Sequence, residues 1–163
     1  MRMAGSWRRL LKLGLAGGAA AMALLQAFPA SRLGIHIEEI GVNPPERFTL
    51  DAPPEVLAVL HRACWDCHSH ETRWPFYAHL APCSWLMAHD IHNARRHLNF
   101  STWGGVDEDE RRADRRDCWE QIQAGSMPPL FYVFPLHPEA RLSAADKRIL
   151  EAWLMRDAGP SGL

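Results

Sequence analysis

Apolar residues are arranged along this chain in two ways: one unbroken run near the N-terminus, then short helical stripes separated by proline and glycine. Residues 13–28 (LGLAGGAAAMALLQAF) are apolar apart from Gln26 and lie directly behind a basic run over residues 2–12. A helix on the surface of a globular domain keeps one polar face, so this segment predicts an export signal or membrane anchor. Farther on, Val56, Leu57, Leu60 and Ala63 share a helix face, and Pro54 suits the first position of that helix, where no amide partner is needed. A second helix is expected from about Ser84 to His97. The run DEDERRADRRD (107–117) leads with acids and follows with bases, as a helix dipole favours. It continues through Cys118, Trp119 and Ile122 and ends at Gly125. Ser143 followed by Asp146 resembles a capped helix start. Its stripe is Leu142, Ile149, Leu150, Trp153 and Leu154, stopped at Gly159-Pro160. Residues 69–83 and the proline-rich 126–142 read as loops. No alternating strand and no internal repeat is evident, so the expected fold class is all-α.

The chain of 163 residues suits one domain of ordinary size. The pattern divides it into an N-terminal signal or anchor segment (1–32), a proline-rich linker (33–53, with Asn43-Pro44-Pro45 and Pro53-Pro54) and a folded domain (54–158). Cleavage after Ala30 would put Phe28 where a small residue is wanted, which favours an uncleaved anchor. Leu10 and Leu11 extend the run toward the roughly 20 residues of a span, with Lys12 snorkelling to the interface. The basic N-terminus is then expected inside and the remainder exported.

Charge narrows the partners. The first 32 residues carry five basic groups and no acidic one, which leaves 13 basic and 19 acidic groups beyond them, a net of −6. A net-acidic body without a basic stripe argues against nucleic acid.

The chemistry sits in Cys64-Trp65-Asp66-Cys67-His68. Two thiols three residues apart on a turn can each reach one vinyl group of a porphyrin, and the next imidazole then lies beneath the iron. The pattern therefore predicts one covalent haem c, with Cys64 and Cys67 as thioether attachments and His68 as proximal iron ligand. A redox dithiol lacks the alternating strand-helix frame it needs here. A zinc site of Cys64, Cys67 and two histidines would leave free thiols in an oxidising compartment. Met127, in Gly125-Ser126-Met127-Pro128-Pro129, is the expected distal iron ligand, with His89, His92, His97 and His137 as rivals and an open sixth position as a further alternative. Cys83 and Cys118 are left over and could pair.

The stretch from Cys64 to Trp103 reads CWDCHSHETRWPFYAHLAPCSWLMAHDIHNARRHLNFSTW. It resembles the bacterial haem-binding domain family, with its CxxCHS, T-x-W-P-x-Y, A-P-x-S-W and L-N-F-S-x-W. Later matches are Gly125, Met127-Pro128, Tyr132, His137-Pro138, Ala140, Leu142-Ser143 and Trp153. The likeness spans about two-thirds of the chain. It departs at Cys83, usually aliphatic in the family, and at His70, usually asparagine. The resemblance implies covalent haem, outward-facing membrane attachment and association with electron-transfer or peroxidase-like modules.

Trp74, Tyr77, Trp85, Phe100 and Trp103 are candidate walls of the haem pocket, and Arg73, Arg95 and Arg96 are candidate partners of its propionates. The expected molecule is a cytochrome c-like helical haem domain on the bacterial cytoplasmic membrane, its haem facing the periplasm or cell exterior. One-electron transfer with a respiratory or periplasmic redox partner protein is the expected function, with no catalytic residue assigned. The alternatives are a haem peroxidase partner or a gas or redox sensor with an open sixth iron site and, further off, a zinc-binding module.

Overall fold

The computed structural model describes residues 4–28, 40–45, 48 and 50–156. Among them every regular element is helical: α1 (Ala4–Ala27), α2 (Pro54–Ala63), α3 (Trp65–His68), α4 (Cys83–His97), α5 (Glu108–Ala124), α6 (Leu130–Val133) and α7 (Ala144–Leu154). Short 3-10 turns cover Phe76–His79, Trp103–Gly105 and Pro138–Ala140. The all-α expectation is met, and α1 is the apolar N-terminal helix. The stretch Trp7–Ala27 is long and apolar enough to cross a membrane, and all of it is exposed. Part of the expected linker (33–39, 46–47 and 49) and the expected stop at Gly159-Pro160 lie outside the described residues.

The chain divides into two compact units. The first comprises Met1–Val42 and Trp74–His92 and contains α1, the Phe76–His79 turn and most of α4. Ala78, Ala81, Ala88 and Ile91 are its buried apolar residues.

The second unit comprises Asn43–Arg73 and Asn93–Leu163. In it α7 packs on α2 and on α5. Its core joins Leu50, Val56, Val59, Leu60, Trp65, Phe100, Trp103, Trp119, Ile122, Leu150, Trp153 and Leu154. Each fully buried leucine or isoleucine there contributes about 1.5–3 kcal/mol. The periodicity found Val56 and Leu60, while Val59 is buried in addition and Leu57 is only partly covered. Leu50, at the end of the expected linker, is part of the same core.

Helix ends follow local chemistry. Pro54 opens α2. Asp107 caps α5 by accepting from the amides of Asp109 and Glu110, and Gly125, at φ 74°, ends it in the left-handed region that a side chain disfavours. The predicted capping box at α7 forms in full: Ser143 Oγ accepts from the Asp146 amide, and Asp146 accepts from the Ser143 amide. The residue at α5 that sequence reasoning missed is Arg115, buried alongside Trp119 and Ile122 while Cys118 is half-buried.

Candidate functional site

The Cys64–His68 motif occupies a single helical turn. α2 ends at Ala63, Cys64 becomes the N-cap of α3, and the amides of Cys67 and His68 both donate to the Cys64 carbonyl, at 3.3 and 3.0 Å. Residues three apart on such a turn share a face, so Cys64 and Cys67 point to one side. Between them Trp65 is buried, stacked on Phe100 with ring centroids 5.3 Å apart and tilted against His61 at 4.0 Å. Its indole N–H donates to Glu71 at 2.8 Å. A buried aromatic thus anchors the turn, on which Cys64, Cys67 and His68 are each half-buried and Cys64 packs against the core.

His68 is oriented from a distance. Its Nδ1 lies 3.0 Å from the carbonyl oxygen of Leu98. A carbonyl only accepts, so this bond requires Nδ1–H and leaves Nε2 with a free lone pair, the form an iron ligand needs. Burial lowers the His68 pKa, outweighing the opposing hydrogen bonds from the Leu98 and Ala94 backbone, and keeps the ring neutral. Two more bonds close the same contact: the Phe100 amide donates to the His68 carbonyl at 2.8 Å, and the His70 amide donates to Ser101 Oγ at 2.9 Å. Asn99 shapes the turn by accepting from the Ser101 amide at 3.0 Å and meets His70 Nε2 at 2.9 Å. His70 is therefore held by protein neighbours, its Nδ1 lying 3.2 Å from the Pro45 carbonyl.

Burial pushes the Cys64 thiol well up, with Cys118 and Cys67 adding to the effect. The Cys118 thiol is pushed up to about 12, again chiefly by burial. None of the four cysteines, all among the described residues, is in a disulfide, and Cys83 is exposed in the first unit. A protonated thiol is a poor metal ligand. Among the described residues no group of three or more His, Cys, Asp or Glu is placed to hold a metal ion.

Asp66, between Cys64 and Cys67, gathers the neighbouring loops. Arg73 donates to it from its amide, Nε and a terminal guanidinium nitrogen at 3.1, 3.0 and 2.8 Å. Tyr132 of α6 donates its hydroxyl to the same carboxylate at 3.3 Å. Burial, then Asp66 itself, raise the Tyr132 pKa, so the phenol stays a donor. Tyr132 also stacks on His137 at 4.3 Å, whose Nδ1 lies 3.2 Å from Glu139. Arg95 is buried, donating to the Ser69 carbonyl at 2.8 Å and to Thr72 Oγ1 at 3.0 Å. Two of the three arginines expected at propionates therefore hold protein groups, and Arg96 is exposed.

The loop that follows α5 carries large apolar side chains out into solvent. Met127, Leu130, Phe131, Phe134 and Leu136 expose 38, 78, 62, 72 and 57% of their surface. A contiguous apolar stretch of this kind marks a surface that something covers. Tyr132 ties that stretch to Asp66, inside the Cys64–His68 turn. Two half-buried thiols on one turn, an oriented imidazole and an exposed apolar loop suit a large planar apolar group bearing a metal. Residues 22–156 match the sequence model of the haem-binding domain family.

The chain belongs to the haem-binding domain family. No curated protein and no solved structure is significantly similar to it. The family match begins inside α1, at residue 22. Of the expected pocket walls, Phe100 and Trp103 lie in the core beside His68, with the Phe100 ring 6.2 Å from the imidazole. Trp74, Tyr77 and Trp85 belong to the first unit, as do His89 and His92. Of the rival histidines, His97 is exposed at the end of α4 and His137 is stacked on Tyr132.

Proposed function

We propose that this chain holds one haem covalently, through thioethers from Cys64 and Cys67, and carries single electrons at the outer face of a bacterial cytoplasmic membrane. The observation that supports this most directly is the pairing of His68 Nδ1 with the Leu98 carbonyl, on the residue that directly follows the second thiol. That bond presents Nε2 as the proximal ligand and restrains the ring about its long axis. Cys64 and Cys67 supply the two bonds to the porphyrin edge. Met127 is the distal ligand in this reading, carried on the exposed strap that Tyr132 fastens to Asp66. Phe131, Phe134 and Leu136 would shield one face from water, which raises the potential of a bound haem. The haem supplies the one-electron chemistry when bound, and the protein sets its potential through ligand, burial and hydrogen bonding. α1 anchors the chain with its basic end inside, by the asymmetry of Arg2, Arg8, Arg9 and Lys12. A periplasmic or respiratory redox protein is the partner.

The test is resistance of the haem to extraction. Full-length protein matured with the haem-attachment machinery keeps its colour through acid-acetone treatment and denaturing electrophoresis. The double variant Cys64→Ala/Cys67→Ala loses it under the same treatment. Haem that extracts from the unmodified protein overturns covalent attachment.

A further inference from the structure

The first unit contains a second set of exposed apolar residues, in the turn before α4 and at the start of that helix. Phe76, Leu80 and Leu86 expose 80, 42 and 55% of their surface. Within the same stretch lie Trp74, Tyr77 and Trp85. We propose that residues 74–86 form an interfacial surface that beds into the lipid bilayer beside the C-terminal end of α1. The proposal rests on α1 being an uncleaved membrane anchor.

Its position follows from Gln26. That residue is the one polar side chain in the run 13–28, and an amide near hydrocarbon needs partners. Both are supplied by the backbone of Ala81: Gln26 Nε2 donates to the Ala81 carbonyl at 3.1 Å, and the Ala81 amide donates to Gln26 Oε1 at 3.0 Å. Phe28 reinforces the contact, its ring 6.3 Å from that of Trp85. The 21 residues Trp7–Ala27 rise about 31 Å as a helix, close to the roughly 30 Å of bilayer hydrocarbon. Gln26 is therefore at the boundary between hydrocarbon and headgroups, and Ala81 is held at the same depth. The exposed Phe76, Leu80 and Leu86 all lie close to Ala81 in sequence, on both sides of it. Tryptophan and tyrosine are enriched at that depth because one end of each ring tolerates water.

The chemistry of the partner is set by what the segment lacks. Residues 74–92 contain no Lys or Arg, and Asp90 is their one carboxylate. Attraction to anionic headgroups plays no part, so a zwitterionic phosphatidylcholine bilayer suffices.

Full-length protein in phosphatidylcholine nanodiscs tests this with spin labels on Phe76→Cys, Leu80→Cys or Leu86→Cys, each in a Cys83→Ser background whose residual labelling is subtracted. All three positions are exposed, so three independent variants guard against a local folding defect. Collision with oxygen should exceed collision with a water-soluble nickel chelate several-fold, relative to a Glu120→Cys label on α5. A Leu15→Cys label reports the anchor. Aqueous behaviour at 76, 80 and 86 with residue 15 in lipid overturns the interfacial surface and leaves the anchor standing. Aqueous behaviour at residue 15 as well overturns both.

Discussion

Tyr132 donates its hydroxyl to Asp66 across 66 residues of sequence, joining α6 to the middle of the Cys64–His68 turn. The same carboxylate holds Arg73 through two side-chain nitrogens. In the motif Asp66 is a spacer between two cysteines; in the fold it is the point where the Cys64–His68 turn and the apolar strap are fastened together.

Tyr132→Phe removes the bond and keeps the ring, including its stack on His137. A net cost of about 1 kcal/mol is expected, seen as a fall in Tm of about 3–5 °C. If the strap carries the distal ligand, the midpoint potential of the haem-loaded protein shifts as well. An unchanged Tm and potential would show that the contact contributes nothing.

Met127→Ala separates stability from ligation. Met127 is substantially exposed, so the haem-free protein should lose no more than about 0.5 kcal/mol. The haem-loaded protein should lose the weak far-red absorption of sulfur-ligated ferric iron, fall in potential and bind carbon monoxide when reduced. An unaltered spectrum would pass the sixth position to His89, His92, His97 or His137, or show it open. An open site that binds peroxide or gas in the unmodified protein would favour the enzyme or sensor reading.

Asp146 makes the stability of α7 depend on pH. Its pKa is lowered: burial opposes this, but the hydrogen bonds from Ser143 and the pairing with Arg62 at 2.8 Å prevail. A carboxyl whose folded pKa is depressed stabilises the fold above its unfolded value of about 3.8, and that contribution is lost as pH falls through the folded value. Asp146→Asn should therefore cost about 1 kcal/mol at neutral pH. The gap between variant and parent should narrow in denaturant titrations at about pH 3. A gap that stays constant with pH would assign the loss to packing.

The parts of the fold legible in the sequence are those in which cause and effect lie within one turn of chain. Pro54 opening α2, the Ser143–Asp146 box and Gly125 ending α5 each concern groups at most a few residues apart. Helical spacing is itself local, which is why spacing alone assigns Val56, Leu60, Trp119, Ile122, Leu150 and Trp153 to faces that are indeed buried. Arg95 and Arg115 escape the same reasoning. An arginine is buried only when distant partners satisfy it, and for Arg95 those partners are Ser69 and Thr72, 26 and 23 residues away.

The candidate site divides along the same line. Its chemistry is written in adjacent positions: two thiols and an imidazole at a spacing that suits covalent haem, behind a helix apolar enough to span a membrane. Those are properties of neighbouring residues and need no packing to be read. Which imidazole nitrogen is free is a matter of packing, because the Leu98 carbonyl that fixes it lies 30 residues on. So is the role of Asp66 as the fastening point for Tyr132, and so is the satisfaction of Gln26, the lone polar side chain of the run 13–28, by Ala81, 55 residues away. Bonds between distant residues depend on how helices pack, and packing minimises exposed apolar surface over the whole chain at once. No local window of sequence contains that information.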